Sequence, residues 1–164
     1  MKRTSFVRMT CPIAATLEVV GEWWSLLVVR EAFLGRSRFE ELQARLGIAR
    51  NILAARLRSL SEQGVLEARP YQDHPPRFEY ALTEKGRALF PVIASLMAWG
   101  NDWTPQGTLG VGLVDRETGR TVQPVLVDRG TGAPIDSGTV RMARLERTES
   151  VPKKGGSSTR RRGP

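Results

Sequence analysis

The sequence predicts an α+β, mainly helical fold: a winged helix-turn-helix followed by a small C-terminal β appendage. Three observations predict it. Apolar residues recur at helical spacing in segments that end at Gly21, Gly35, Gly47 and Gly64. Two of these segments are separated only by the short turn Gly47-Ile48-Ala49, the spacing of a helix-turn-helix. Past Gly64 the period changes to two short strands around a Pro-rich loop, which makes a wing.

The first helix is expected from Pro12 to Val20, with Ile13, Leu17 and Val20 on one side and Pro12 in its first turn. A second, largely buried helix carries Trp24, Leu27, Val28, Glu31 and Ala32 and runs to Leu34, where Gly35 caps it. Ser37 is the expected cap of a third helix bearing Phe39, Leu42 and Leu46, with Glu40 completing a capping box. The fourth helix runs to about Gln63 and lines up Leu53, Leu57 and Leu60. The wing strands are expected at Val65–Arg69 and Phe78–Leu82, with residues 70–76 as the loop, because three prolines interrupt it. Thr83 caps a last helix whose Leu89, Val92, Ile93, Leu96, Met97, Trp99 and Trp103 form a wide apolar face; Pro91 breaks or bends it early. So broad a stripe calls for a partner. Further on, Leu113-Val-Asp-Arg-Glu-Thr-Gly119 is echoed by Leu126-Val-Asp-Arg-Gly-Thr-Gly132, each reading as a strand that enters a turn, so a small β unit is expected at residues 109–136.

The chain thus divides into residues 1–104, a winged-helix part; residues 105–148, a β appendage; and residues 149–164, a Gly-, Ser- and Arg-rich tail expected to be disordered. Its 164 residues leave little room for a multi-domain enzyme, and a 40% hydrophobic content suffices for a core. Apolar runs such as Leu26–Val29 fall far short of the roughly 20 residues of a membrane helix, and no signal-like stretch precedes Pro12, so a cytoplasmic protein without membrane contact is expected. One cysteine, Cys11, and one histidine, His74, exclude an intrachain disulfide and a cysteine- or histidine-rich metal site. No Gly-rich phosphate loop or nucleophile–histidine pairing is present, and the reading is of a protein that is not an enzyme and needs no cofactor.

The net charge of +8 favours polyanionic partners. Placing Leu53, Leu57 and Leu60 inward at 100° per residue turns Asn51, Ala54, Ala55, Arg58 and Glu62 outward, with Arg50 and Arg56 on the flanks. Small residues let such a helix approach a major groove, Asn can read adenine through two hydrogen bonds, and Arg can read guanine or clamp phosphate. Double-stranded DNA is therefore the expected partner. Arg36, Arg38 and Arg45 around the third helix, and Arg69, His74 and Arg77 on the wing, are candidates for backbone contacts. Each has an ordinary alternative: a solvated arginine, an ion pair of Arg56 with Glu62 or Glu40, a capping Asn51, a plain loop His74.

Several strings carry a more specific resemblance. Cys11-Pro-Ile-Ala14, Gly21-Glu-Trp-Trp-Ser-Leu-Leu-Val-Val-Arg-Glu31, Gly35 with Arg38-Phe-Glu-Glu-Leu42, Leu53-Ala-Ala-Arg-Leu57-Arg-Ser-Leu60, Gly64-Val-Leu-Glu67, Arg69-Pro-Tyr71, Pro75-Pro-Arg-Phe-Glu-Tyr80 and Leu82-Thr-Glu-Lys-Gly86 strongly resemble the HxlR family of bacterial transcription regulators. The resemblance spans about residues 8–103. It implies a homodimer joined through the first and last helices, with two recognition helices entering successive major grooves of a palindromic operator. It also implies an effector, either a small molecule or an oxidant, and makes Cys11 a candidate redox-sensing thiol; the alternative is a small residue packed at the dimer interface. Two departures stand out. Ala49 occupies the cap position where the family usually has a Ser, weakening that helix start by about 1 kcal/mol. The appendage is similar to extensions that carry a zinc-ribbon-like knuckle, but its turns read Asp115-Arg-Glu-Thr118 and Asp128-Arg-Gly-Thr131 with no thiolate, so a metal-free relic is expected. The resulting expectation is a sequence-specific regulator, a repressor by occlusion of polymerase. Its rival is a protein-interaction module whose basic tail attracts nucleic acid without specificity.

Overall fold

A computed structural model describes residues 5–105 and 111–143. Six helices and two small antiparallel hairpins are arranged in the order α1 (Pro12–Val20), α2 (Ser25–Phe33), α3 (Phe39–Leu46), α4 (Arg50–Glu62), β1 (Leu66–Gln72), β2 (Arg77–Leu82), α5 (Glu84–Arg87), α6 (Phe90–Trp103), β3 (Leu113–Val114) and β4 (Thr121–Val122). The fold is the mainly helical α+β winged helix that the apolar spacing predicts.

One cluster forms the core. Val20 of α1, Val28 and Val29 of α2, Leu42 of α3, Leu53, Leu57 and Leu60 of α4, Val65 and Leu66 at the wing root, and Ile93 of α6 are buried together. Each fully buried Leu contributes about 2 kcal/mol of transfer free energy, so the three leucines of α4 lock its rotation about its own axis. On α2 the buried side chains are Ser25, Val28, Val29 and Glu31, while Trp24 and Leu26 pack partly buried against the core. Gly35, at φ +83, ends this helix: its N–H donates to Ala32 O, and the next N–H, of Arg36, reaches back to Glu31 O.

The start of α3 differs from the expected cap. Ser37 is not the N-cap, because its carbonyl accepts from Tyr80 N at 2.7 Å and Arg38 forms an isolated antiparallel bridge with Glu79 of β2. The helix starts one residue later, with Arg38 at the cap position, and Glu41, not Glu40, accepts from the N–H groups of Arg38 (3.2 Å) and Ser37 (3.4 Å). The wing differs as well. β1 continues through Pro70 to Gln72, so the turn is only residues 73–76. Pro70 is tolerated because in a two-stranded ribbon its missing N–H can face away from the ladder. Opposite Phe78 and Arg77 the register slips by one residue at Tyr71, and Gln72 closes the turn by donating to the carbonyls of His74 and Pro75, whose peptide bond is cis.

Thr83 ties the wing root to α5. Its hydroxyl accepts from Gly86 N and donates to Gly64 O at 2.7 Å, while its N–H donates to Val65 O. A side chain at Gly86 would meet Val65 O at 2.2 Å, so only glycine allows α5 to sit this close. Pro91 then separates the single turn of α5 from α6, as expected.

By internal contacts the described chain separates into two compact units that meet at Pro124 and Val125. In the first, β3 and β4 pair Leu113 with Val122 and Val114 with Thr121 around a turn held by Asp115, whose Oδ1 accepts from Thr118 N, Thr118 Oγ1 and Glu117 N. In the second, Asp128 repeats this with Thr131 and Gly130, and Val127 bridges Pro134. A third turn of the same kind, which the two-fold repeat does not reveal, uses Asp136, accepting from Gly138 N and Thr139 N. Its signal is the shared Asp-x-x-Thr spacing. Residues 109 and 110 of the expected β unit, and the tail at 149–164, lie outside the described residues.

Hydrogen bonds to Thr118 hold the Asp115 carboxyl below the usual aspartate range, those to Thr131 do the same for Asp128, and those to Gly138 and Thr139 for Asp136. A depressed folded pKa means that the turns are held above the ordinary value of 3.8 and released as pH falls through the lower folded one. Amide NMR signals of Thr118, Thr131 and Thr139 are expected to be constant from neutrality to about pH 5 and to move only below the ordinary value. Movement near neutrality would contradict this. In the helical part, Ala49→Ser is expected to stabilise the fold by about 1 kcal/mol in denaturant unfolding, since Ala49 caps α4 in an extended conformation and offers no side-chain acceptor.

Candidate nucleic-acid interface

The leucine stripe of α4 determines what the rest of the helix presents. Leu53, Leu57 and Leu60 have no exposed surface, whereas Arg50, Asn51, Ala54, Ala55 and Arg58 are all exposed. The outward set read from the sequence is therefore brought together on one face. Because Ala49 supplies no capping oxygen, the first-turn amides of α4 meet no side-chain acceptor. A helix start with open N–H groups and flanking arginine is suited to a phosphate oxygen. The Arg50 guanidinium lies 4.9 Å from the ring centre of Phe39, which holds it at the junction of α3 and α4 without burying its donors.

The remaining arginines fall into two groups. Arg38 is exposed and stacks over the Tyr71 ring at 4.6 Å, which joins the start of α3 to the wing. Arg77 and His74 are exposed at the wing tip, and Arg69 is exposed but paired with Glu67 at 2.9 Å. Arg36 and Arg56 turn the other way. Arg36 reaches Glu31 at 3.0 Å, and Glu31, only 3% exposed, is also held by Arg30 at 2.6 Å. Arg56 pairs with Glu22 at 3.4 Å, rather than with Glu62 or Glu40, and ties α4 to the turn between α1 and α2. Both side chains therefore sit in structural ion pairs, and the open face retains Arg38, Arg50, Arg58 and Arg77. Arg45, near the end of α3, is exposed.

Two features escape the leucine-stripe argument. Ile52 is 41% exposed, an apolar side chain beside Asn51 on α4. The other is an open groove of about 350 Å³ between the outer side of α4 and the wing, lined by Phe39, Ala54, Arg58, Ser61, Phe78 and Tyr80, among others. Periodicity could have flagged Ile52 as an apolar residue off the stripe. The groove had no sequence signal, because it exists only once β2 folds back beside α4. Burial, and secondarily the negative charge of Glu40, raise the Tyr80 phenol above its ordinary pKa, so it stays protonated at neutral pH.

Cys11 stands at the N-cap of α1 and is partly exposed. Among the described residues no cluster of three His, Cys, Asp or Glu side chains could hold a metal ion, and no single helix is long and apolar enough to cross a membrane.

A family model described as HxlR-like helix-turn-helix matches residues 19–108, more than half of the chain. The chain belongs to this HxlR-like family of helix-turn-helix transcriptional regulators. An uncharacterised HTH-type transcriptional regulator of Mycobacterium bovis is 49% identical over 94 residues, 57% of this chain and 60% of the relative. The HxlR-like chain thus spans about three fifths of that relative's length. Among solved structures, the crystal structure of the transcription-factor candidate PA1607 is similar over 87% of this chain and 100% of its own, at 43% identity and a TM-score of 0.75. The redox regulator HypR in its reduced form is similar over 56% of this chain and 92% of its own, with 33% identity and a TM-score of 0.51.

Arg36 and Arg56 are expected to act on stability. Arg36→Ala and Arg56→Ala should each lower the unfolding free energy by about 1 kcal/mol, and the Arg56/Glu22 double-mutant cycle should give a coupling of about 0.5–1 kcal/mol. Additivity at that pair would remove the structural assignment.

Proposed function

We propose that this HxlR-like protein is a sequence-specific DNA-binding regulator that acts as a cytoplasmic homodimer on a palindromic operator and represses by occluding polymerase. One observation carries the reading: the exposed face of α4 that opposes the buried leucines bears Arg50, Asn51, Ala54, Ala55 and Arg58 together. Asn51 and Arg58 would contact base edges, and Ala54 and Ala55 would permit close approach. Arg38 and Arg50 at the ends of α3 and α4, with Arg69, His74 and Arg77 on the wing, would hold phosphates and set the register. Residues 1–104 form the DNA-binding and dimerisation part in this reading.

Dimerisation through the first and last helices is supported by where apolar surface remains exposed. Ile13 is 60% exposed and Leu17 43% on α1; on α6, Trp99 is 61% and Trp103 74% exposed, with Val92 and Leu96 alongside. A stripe of this kind on a soluble chain marks an interface. Cys11 begins α1, so a thiol-modifying oxidant of the kind suggested by the relative HypR would act at the edge of that interface. The rival, a protein-docking winged helix with nonspecific tail attraction, differs in what the tail does.

Operator fragments selected from random or genomic DNA provide the test. Asn51→Ala is expected to cost about 1–3 kcal/mol on the selected site and little on random DNA, while Arg77→Ala should weaken both alike and reduce the salt slope by about 1. A chain lacking residues 150–164 should keep its discrimination. Loss of all binding with the tail would favour the rival, and a monomer in sedimentation would remove the palindrome.

A further inference from the structure

Three places outside the leucine stripe and the dimer stripe bear on a further role. A smaller cavity of about 230 Å³, lined by residues that include Ala15, Thr16, Val19, Lys85 and Leu89, has one cationic group, and that amine already donates to Gln63 O at 2.6 Å. Buried Glu31 is satisfied in charge by Arg30 and Arg36. The groove between α4 and the wing is different, because an exposed cationic side chain, Arg58, is in its lining.

Its walls are aromatic and small: Phe39, Phe78 and Tyr80 face Ala54 and Ala68. A volume of about 350 Å³ suits a ligand of one or two rings, near the lower end of the range for small-molecule sites. Arg58 supplies a guanidinium that forms no ion pair among the described residues. The Ser61 hydroxyl, although its residue is in the lining, is shut off from solvent and so from a ligand in the groove. Glu62, one turn beyond Arg58, places a negative charge at the same lip and disfavours a second anionic group.

We infer that this groove binds a planar aromatic monocarboxylate, its ring between Phe78 and Ala54, its carboxylate on Arg58, and that the bound acid excludes DNA. The ligand half stands on the groove alone. The exclusion half rests on the proposed DNA reading, since Ala54 and Arg58 belong to both surfaces. Occupying the groove would displace the recognition face from its operator without any rearrangement of the core, so the acid would act as an inducer by direct competition.

Benzoate and 2-naphthoate are the probes, with terephthalate as the dianion and benzyl alcohol as the neutral control. Binding is read on the full-length protein without DNA, by shifts of the Phe78 and Tyr80 ring signals in NMR titrations. The monocarboxylates are expected to saturate, with 2-naphthoate the tighter and both controls at least about tenfold weaker. Ala68→Leu fills the groove from the wing side at an exposed position, and it should abolish benzoate binding in the titration without DNA. Arg58→Gln should weaken benzoate by about tenfold in the titration without DNA. With selected DNA present, saturating 2-naphthoate should lower operator affinity by about tenfold in wild type and not in Ala68→Leu. Absence of ring shifts in wild type, or equal binding by Ala68→Leu, overturns the site. Binding that leaves operator affinity unchanged overturns the competition, and a wild type that never binds DNA removes the DNA reading while leaving the ligand titration interpretable.

Discussion

The constraint on which this molecule depends is the burial of Leu53, Leu57 and Leu60. A helix of 13 residues has one rotational freedom that matters here, and three leucines with no exposed surface remove it. Turning α4 by a quarter would bring those leucines toward water at a cost of several kcal/mol, about 2 for each side chain, and would bury arginine in their place. What faces outward is thus decided by what must face inward. Asn51, Ala54, Ala55 and Arg58 are presented to solvent through no interaction of their own.

A similar constraint governs the charges. This chain is strongly basic, yet its arginines divide by whether an acid has been placed within reach. Glu31, almost fully buried, draws in Arg30 and Arg36 and so anchors the segment that leads from α2 to α3. Glu22 draws Arg56 onto the turn between α1 and α2. These pairs neutralise positive charge that would otherwise add to a nonspecific surface. Two of the arginines that remain outward lean instead on aromatic rings, Arg38 on Tyr71 and Arg50 on Phe39, contacts that orient a guanidinium while leaving its hydrogen-bond donors open.

Much of this was legible in the residues, and where it was not the reason is specific. Helix ends marked by Gly35, Gly47 and Gly64 were readable because each sits at positive φ, a local preference that needs no tertiary partner. The start of α3 was not, because Ser37 is a sound local cap that loses its role when β2 claims its carbonyl. Pro70 misled in the same way: proline argues against a strand interior, but an edge in a two-stranded ribbon carries no such penalty. The third aspartate turn, at Asp136, was hidden because only its Asp and Thr repeat, and the apolar lead-in of the other two copies is altered.

Sequence by itself determined the helix order, the wing, the face of α4 that turns outward and the family, since all of these derive from period, from glycine and proline stereochemistry, and from contiguous strings of residues. Tertiary structure alone decided which arginines pair with Glu31 and Glu22, where α3 begins, and that Phe78 and Tyr80 line one groove with Ala54 and Arg58. The physical reason is range. Periodicity reports on neighbours within a turn or two of the same element, whereas an ion pair, a β bridge or a groove is set by side chains that meet only when distant segments pack, and no local preference encodes that meeting.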